Sequence, residues 1–201
     1  MGFGSFGLCG PDLYWLVISN SYVMNLFEHF KELFEKHDLW EDQIELKRYE
    51  YLKVQGAANT NLYYMISGSM RAYIIDEFEE HTIRLGYKDN LIAAMDSFVT
   101  EKPTNMYLQA LKKCKLKVMS KKRLMDFINE EPERMKLWIR FLELGIYQQM
   151  EREQDILTSS PLERYKRVLK RSPQVFQEIP DKYIASYLRM TPETLSRIKK
   201  S

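Results

Sequence analysis

Residues 179–200, IPDKYIASYLRMTPETLSRIKK, carry the most specific pattern in the chain. Over residues 181–188, Ile184, Tyr187 and Leu188 fall at helical spacing, and Ala185 is small where a second helix could cross closely. Met190 leads into a break. Thr191 and Pro192 then form a restart signal: a threonine hydroxyl can accept from free backbone N–H groups, and proline fits the first helical turn, where its missing N–H costs nothing. A second helix is predicted over Pro192–Lys200, with Leu195 and Ile198 inward. Thr191, Glu193, Thr194, Ser196, Arg197, Lys199 and Lys200 are left as the polar residues available to a partner. Arginine and glutamate on such a face suit DNA, because a guanidinium fork matches guanine O6 and N7 and a carboxylate accepts from cytosine N4. The plainer alternative is a helical hairpin with a solvated face.

PETLSRIKK, after a small residue and a turn, resembles the recognition helix of the bacterial Crp/Fnr regulators, in which glutamate, threonine and arginine stand in this order. Glu193, Thr194 and Arg197 match that pattern. Arg189 departs from it, standing where such turns usually have glycine; a positive φ there would cost roughly 1 kcal/mol.

Upstream, SSPLERYKRVLKR offers a capping box in Ser160 and Glu163, starting the first helix of a C-terminal unit over residues 159–201. Residues 160–201 hold ten Lys/Arg against four Asp/Glu, a local +6, whereas the whole chain carries +2, so the remainder is at −4. A basic tail on a mildly acidic body is what a localised nucleic-acid contact requires. A long helix is expected over Pro132–Leu157, with Pro132 in its first turn. It has two apolar stripes: Met135, Trp138, Ile139, Leu142 and Ile146, and Leu137, Phe141 and Leu144. A helix apolar over most of its circumference needs cover on more than one side. A β-domain supplies one side, and a second copy of the chain is the natural cover for the other, as in the dimer helix (132–158) of the family it resembles.

Between residues 40 and 118 the period turns from helical to β. IELKRYEYLKVQG, NLYYMISGSMRAYIID, HTIRLGYKDNLI and MYLQALKKCKLKVMS are strand-length runs rich in Tyr, Ile, Leu and Val, separated by Gly, Asn and Asp, as in a sandwich or jelly roll. Gly56 and Gly68 sit at strand ends where positive φ is useful. The segment resembles the cyclic-nucleotide-binding domain of Crp/Fnr proteins, LYYMISGSMRAYI being its most specific phrase. The expected fold is thus α+β: an N-terminal double-stranded β-helix (jelly roll) sensor domain over residues 24–131, a long dimerisation helix, and a small C-terminal helix-turn-helix domain.

The likeness weakens at the ligand site. Nucleotide-binding members have a Gly-Glu pair and an Arg-Ser/Thr-Ala triplet, which hold the cyclic phosphate and the ribose. Here Ala93 and Ala94 stand near the first, and Thr104, Asn105 and Met106 at the second. Cyclic nucleotides should therefore bind poorly, while Asp96, Ser97, Thr104 and Asn105 are the residues able to orient some other effector.

Met24 opens an amphipathic helix through NLFEHFKELFEKHD, with residues 1–23 read as an N-terminal extension that is neither signal peptide nor membrane span. Cys9 and Cys114 give no ligand spacing, no disulfide framework and too few thiolates for an iron-sulfur cluster, as expected in a reducing, cytoplasmic compartment. His29, His37 and His81 are scattered, and Glu79 and Glu80 read as turn charges, so neither a metal, a cofactor nor an enzyme activity is expected. The resemblance implies double-stranded DNA, a second copy of the chain, RNA polymerase and a small effector as partners, with no membrane. The sequence stops at Ser201, where many relatives continue into a β-hairpin wing. That departure motivates an alternative: a ligand-binding or protein-interaction module whose C-terminal domain no longer binds DNA.

Overall fold

The computed structural model describes residues 20–200. The expected extension over residues 1–23 falls mostly outside them, and the first helix, α1 (Asn20–Lys36), starts ahead of Met24. The apolar period that marks this helix in the sequence begins only at Leu26, so its earlier residues carry no phase to read. Leu26, Phe30 and Phe34, four apart, are buried, and α1 ends where Asp38 takes a positive φ of 49° and Leu39 N–H returns to the Phe34 carbonyl.

Eight strands follow in two antiparallel sheets of four. One has the order β1 (Asp42–Leu46), β8 (Cys114–Met119), β3 (Leu62–Ser67), β6 (Leu91–Ile92); the other β2 (Tyr51–Lys53), β7 (Tyr107–Ala110), β4 (Ser69–Asp76), β5 (Glu79–Tyr87). Each of the four strand-like runs seen in the sequence holds two strands. Three of the four breaks hold a residue at positive φ: Tyr49 at φ 69°, Gly68 at φ 93° and Asp89 at φ 68°. Tyr63, Met65, Met70, Leu108, Cys114 and Leu116 close the space between the sheets. The β4–β5 hairpin turns through Glu77 and Phe78, both at positive φ, as two-residue hairpin loops require.

A short helix α2 (Met95–Thr100) lies between β6 and β7, and α3 (Lys121–Asn129) begins on a Ser120 hydroxyl that accepts from Arg123 N–H at 3.2 Å. The long helix α4 spans Pro132–Leu157 with Pro132 at its start. Its inner face meets α1 through aromatic rings, Phe30 to Phe141 at 5.1 Å and Phe27 to Phe141 at 5.2 Å, with Trp138 stacked on Phe141 at 5.3 Å. Four helices complete the described chain: α5 (Pro161–Arg171), α6 (Val175–Glu178), α7 (Asp181–Tyr187) and α8 (Pro192–Lys200). Ser160 does cap α5, accepting from Glu163 N–H at 3.4 Å.

The C-terminal helices do not hang on a linker. Val168, Val175, Ile179, Tyr183, Ile184, Leu188 and Leu195 share one apolar cluster with Leu111, Leu85 and Tyr87 of the β-domain. Polar ties reinforce it: Thr82 N–H donates to Ser186 Oγ (3.1 Å), Ser69 Oγ to the Glu178 carbonyl (3.2 Å), and Lys112 pairs with Glu178 (2.9 Å). The Arg71 guanidinium is buried between the rings of Tyr73 (3.9 Å) and Tyr183 (4.5 Å), and donates to Gln109 while pairing with Glu80. Among the described residues no helix is long and apolar enough to cross a membrane.

Candidate nucleic-acid interface and β-domain interior

The α7–α8 pair is built from small and branched residues that let the two helices approach. Ile184, Ala185, Leu188 and Leu195 are all fully buried. Between the helices the chain turns through Arg189 at φ 54°, the conformation glycine would adopt most easily. The strain is offset by fixed bonds: Arg189 N–H to Ser186 O (3.1 Å), Met190 N–H to Ala185 O (3.0 Å), and the Arg189 carbonyl accepting from the buried Arg164 at 3.1 Å. Thr191 Oγ1 then accepts from Thr194 N–H at 3.3 Å and restarts the helix. Sequence pattern and local hydrogen bonding agree here because every signal is short range.

The predicted polar residues divide by position. Glu193, Ser196, Arg197 and Lys200 line one open, shallow depression with Pro192 on the solvent side of α8. Thr191 and Thr194 sit at the helix start and are engaged in the cap, with Thr194 half-buried. Lys199 turns back to Asp181 of α7 at 2.5 Å, so its ammonium faces the helix pair rather than the depression. A hydrogen bond from its own backbone N–H, then one from the Thr191 hydroxyl, hold the Glu193 carboxyl below the ordinary range, so it is an ionised acceptor at neutral pH. One face therefore offers a carboxylate, a hydroxyl, a guanidinium and an ammonium, left open among the described residues.

In the β-domain, Ala94, Ser97 and Thr104 are buried, Ala93 and Asp96 half-buried, and Asn105 exposed. Ala94 precedes α2 and gives it no side-chain cap. Asp96 gathers the rest of the loop around itself: Thr104 Oγ1 donates to both its oxygens (2.8 and 2.9 Å), Asn105 N–H to one (2.9 Å), and Ser97 N–H to the other (2.7 Å). Burial raises the Asp96 pKa, but the bonds from Asn105, Thr104 and Ser97 outweigh it and leave it lowered. These residues are brought together, and Asp96 and Thr104 spend their hydrogen bonds within the loop, whereas the buried Ser97 Oγ has no partner among the described residues.

Lys53 on β2 escaped sequence reading. It is buried, its ammonium donates to the Asn59 carbonyl and lies 5.7 Å from the Tyr63 ring, and burial pushes its pKa down to about 8 against the attraction of Asp96. A register shift between Tyr51 and Lys53 breaks the two-residue alternation, so the strand's phase cannot predict which side Lys53 takes.

On α4 the first predicted stripe splits. Trp138 is buried and Met135 is packed against the cluster that α4 forms with α1 and α3, whereas Ile139, Leu142 and Ile146 are 48%, 40% and 63% exposed. Phe141 and Leu144, from the second stripe, join Trp138 inside. The α1 aromatics decide this rotation, and they act over a sequence distance that helical periodicity does not register. Met150, also exposed, extends Ile139, Leu142 and Ile146 into one outward row.

No protein-family model and no curated protein matches this chain. Solved structures do. FixK2 from Bradyrhizobium japonicum is similar with a TM-score of 0.65 at 13% identity, covering 79% of this chain and 82% of that one. CLP, the c-di-GMP responsive global regulator of Xanthomonas campestris, is similar with a TM-score of 0.62 at 15% identity, covering 85% and 90%. A transcriptional regulator of the CRP/FNR family from Thermus thermophilus is similar with a TM-score of 0.57 at 14% identity, covering 78% and 83%. The chain shares its mixed α and antiparallel-β fold with regulators of that family.

Proposed function

We propose that this protein is a DNA-binding transcription regulator of the Crp/Fnr type and not an enzyme. In this reading α7 and α8 are a helix-turn-helix, α4 is the seam of a homodimer, and the two sheets, whose strand orders suit a jelly roll, are a sensor domain without the usual cyclic-nucleotide phosphate contacts. The observation that carries it is the face of α8 left open among the described residues, where Glu193, Ser196, Arg197 and Lys200 stand together on a helix fixed by a buried Leu195. Such a face fits the major groove, and in a symmetric dimer two of them would read an inverted repeat with half-sites about 34 Å apart.

The test is to select bound sequences from a random DNA pool and then compare two variants on the selected site and on random DNA. Arg197→Ala is expected to weaken the selected site by about 1 to 3 kcal/mol and relax one base position. Lys200→Ala should weaken all sequences alike and lower the salt dependence by about one counterion. Equal loss on both DNAs for Arg197→Ala would remove α8 from the groove. If no sequence is selected at all, the reading as a ligand-binding or protein-interaction module takes its place.

The dimer has its own prediction. Ile146→Glu places a charge in the middle of the outward row of α4, where a seam offers no partner for it. The native chain should run as a dimer and this variant as a folded monomer in analytical ultracentrifugation. A monomeric native chain, or a variant that stays dimeric, would move the seam off this face.

A further inference from the structure

We propose that the junction of α4, β5 and the α7–α8 turn is a binding site for a phosphoryl oxyanion, separate from both the β-domain interior and the face of α8. The base of the site is Arg152, near the end of α4, which is only 4% exposed. One of its nitrogens donates to the Tyr187 carbonyl at 2.5 Å and its guanidinium carbon lies over the Tyr187 ring, 3.7 Å from its centre. Its Nε and Nη1 are buried and have no hydrogen-bond partner among the described residues. Thr82 Oγ1 on β5 is buried and unpartnered in the same way, and the Thr82 backbone meets Ser186, the neighbour of Tyr187. Arg152 and Thr82, each with an unsatisfied buried group, are thus both tied to the same end of α7, Arg152 by its side chain and Thr82 by its backbone.

Two exposed arginines flank this base. Arg84 of β5 reaches Gln149 on α4, one turn ahead of Arg152, and Arg189 of the turn contacts His81 Nδ1 at 3.1 Å, beside Thr82. The field of Arg84 and Arg189 adds to burial in disfavouring the charge on Arg152. Asp155 and the Tyr187 hydroxyl offset part of this at a distance, but neither carboxylate bonds Arg152: Asp155 is engaged by Arg167 and Arg171, and Glu151 by the same two. Buried guanidinium nitrogens are ordinarily paired. A site of three guanidinium groups and a hydroxyl wants an acceptor with several oxygens around one centre, and a phosphate group provides that where a single carboxylate does not. Because Arg84 belongs to the β-domain and Arg189 to the α7–α8 turn, such an anion would tie the two together and bias the setting of α8.

The experiment uses thermal melting of the full chain in sodium chloride, inorganic phosphate or glycerol 3-phosphate at matched ionic strength, with no DNA present. Phosphate is expected to raise the melting temperature above chloride. Response to the ester as well assigns the site to phosphorylated metabolites, and response to phosphate alone assigns it to the free ion. Arg84→Gln and Arg189→Gln, both at exposed positions, should each weaken the apparent phosphate affinity about tenfold, the size of one charge-assisted hydrogen bond. Arg152→Gln should abolish the response; if it fails to fold, the two exposed variants still decide. Identical melting of the native chain in phosphate and chloride overturns the proposal. A full response in the Arg84→Gln, Arg189→Gln double variant overturns it too. Neither result bears on whether α8 binds DNA.

Discussion

Gly68→Ala is expected to destabilise the β-domain by about 2 to 6 kcal/mol, from backbone strain of about 1 to 3 and overpacking of about 1 to 3. Gly68 passes the chain from one sheet to the other at φ 93°, and a Cβ there would lie 2.4 Å from the Lys113 carbonyl oxygen and 2.8 Å from the Cys114 Cα. Neither is a side-chain end that can swing away. Moving Lys113 and Cys114 would pull on β8, which pairs with both β1 and β3, and on Ser69, whose carbonyl accepts from Leu111 N–H at 2.7 Å. Gly56→Ala is the matched control, since Gly56 has φ 89° and nothing within 4 Å of an added Cβ. It should show the strain without the clash. Urea titrations of both variants check the prediction, which is lost if Gly68→Ala is no worse than Gly56→Ala.

Asp155→Ala is expected to cost about 3 kcal/mol, the lower end for breaking a buried ion pair, because Glu151 remains to its two arginines. Asp155 is fully buried in the last turns of α4 and accepts from Arg167 Nε at 3.0 Å and from both terminal nitrogens of Arg171. Both arginines belong to α5, so this carboxylate locks the α5 helix against α4. Loss of that lock should also loosen α8, which shares its core with α5 through Val168 and Leu195. The expected pattern in amide hydrogen exchange is faster exchange through α5 and α8 with α1 and β8 unchanged. A stability loss under about 1 kcal/mol would mean that Glu151 alone suffices.

How far the chain could be understood without its tertiary structure follows from the range of the interactions involved. The two C-terminal helices, the turn between them, the Thr191 cap and the start of α4 at Pro132 were legible because each rests on residues within four or five of one another. The positive φ at Gly56 and Gly68 was legible for the same reason, glycine's backbone freedom being a local property. The four β runs were legible as strands but not as eight, since Tyr49 and Asp89 accept left-handed backbone that their residue types do not announce.

The sequence by itself determined the polar residues of α8 and that Ala94 and Thr104, not glutamate and arginine, stand in the β-domain loop, because both are matters of which residues are present. Only the tertiary structure decided which side of α4 faces outward, because the aromatics of α1, a hundred residues away, cover Trp138 and Phe141 and leave Ile139 and Ile146 bare. Only it set Lys53 inside the β-domain, where a register shift overrides alternation. Only it revealed Arg152 with two bare nitrogens, since burial of a guanidinium depends on what β5 and α7 place around it and leaves no trace in the spacing of residues along α4.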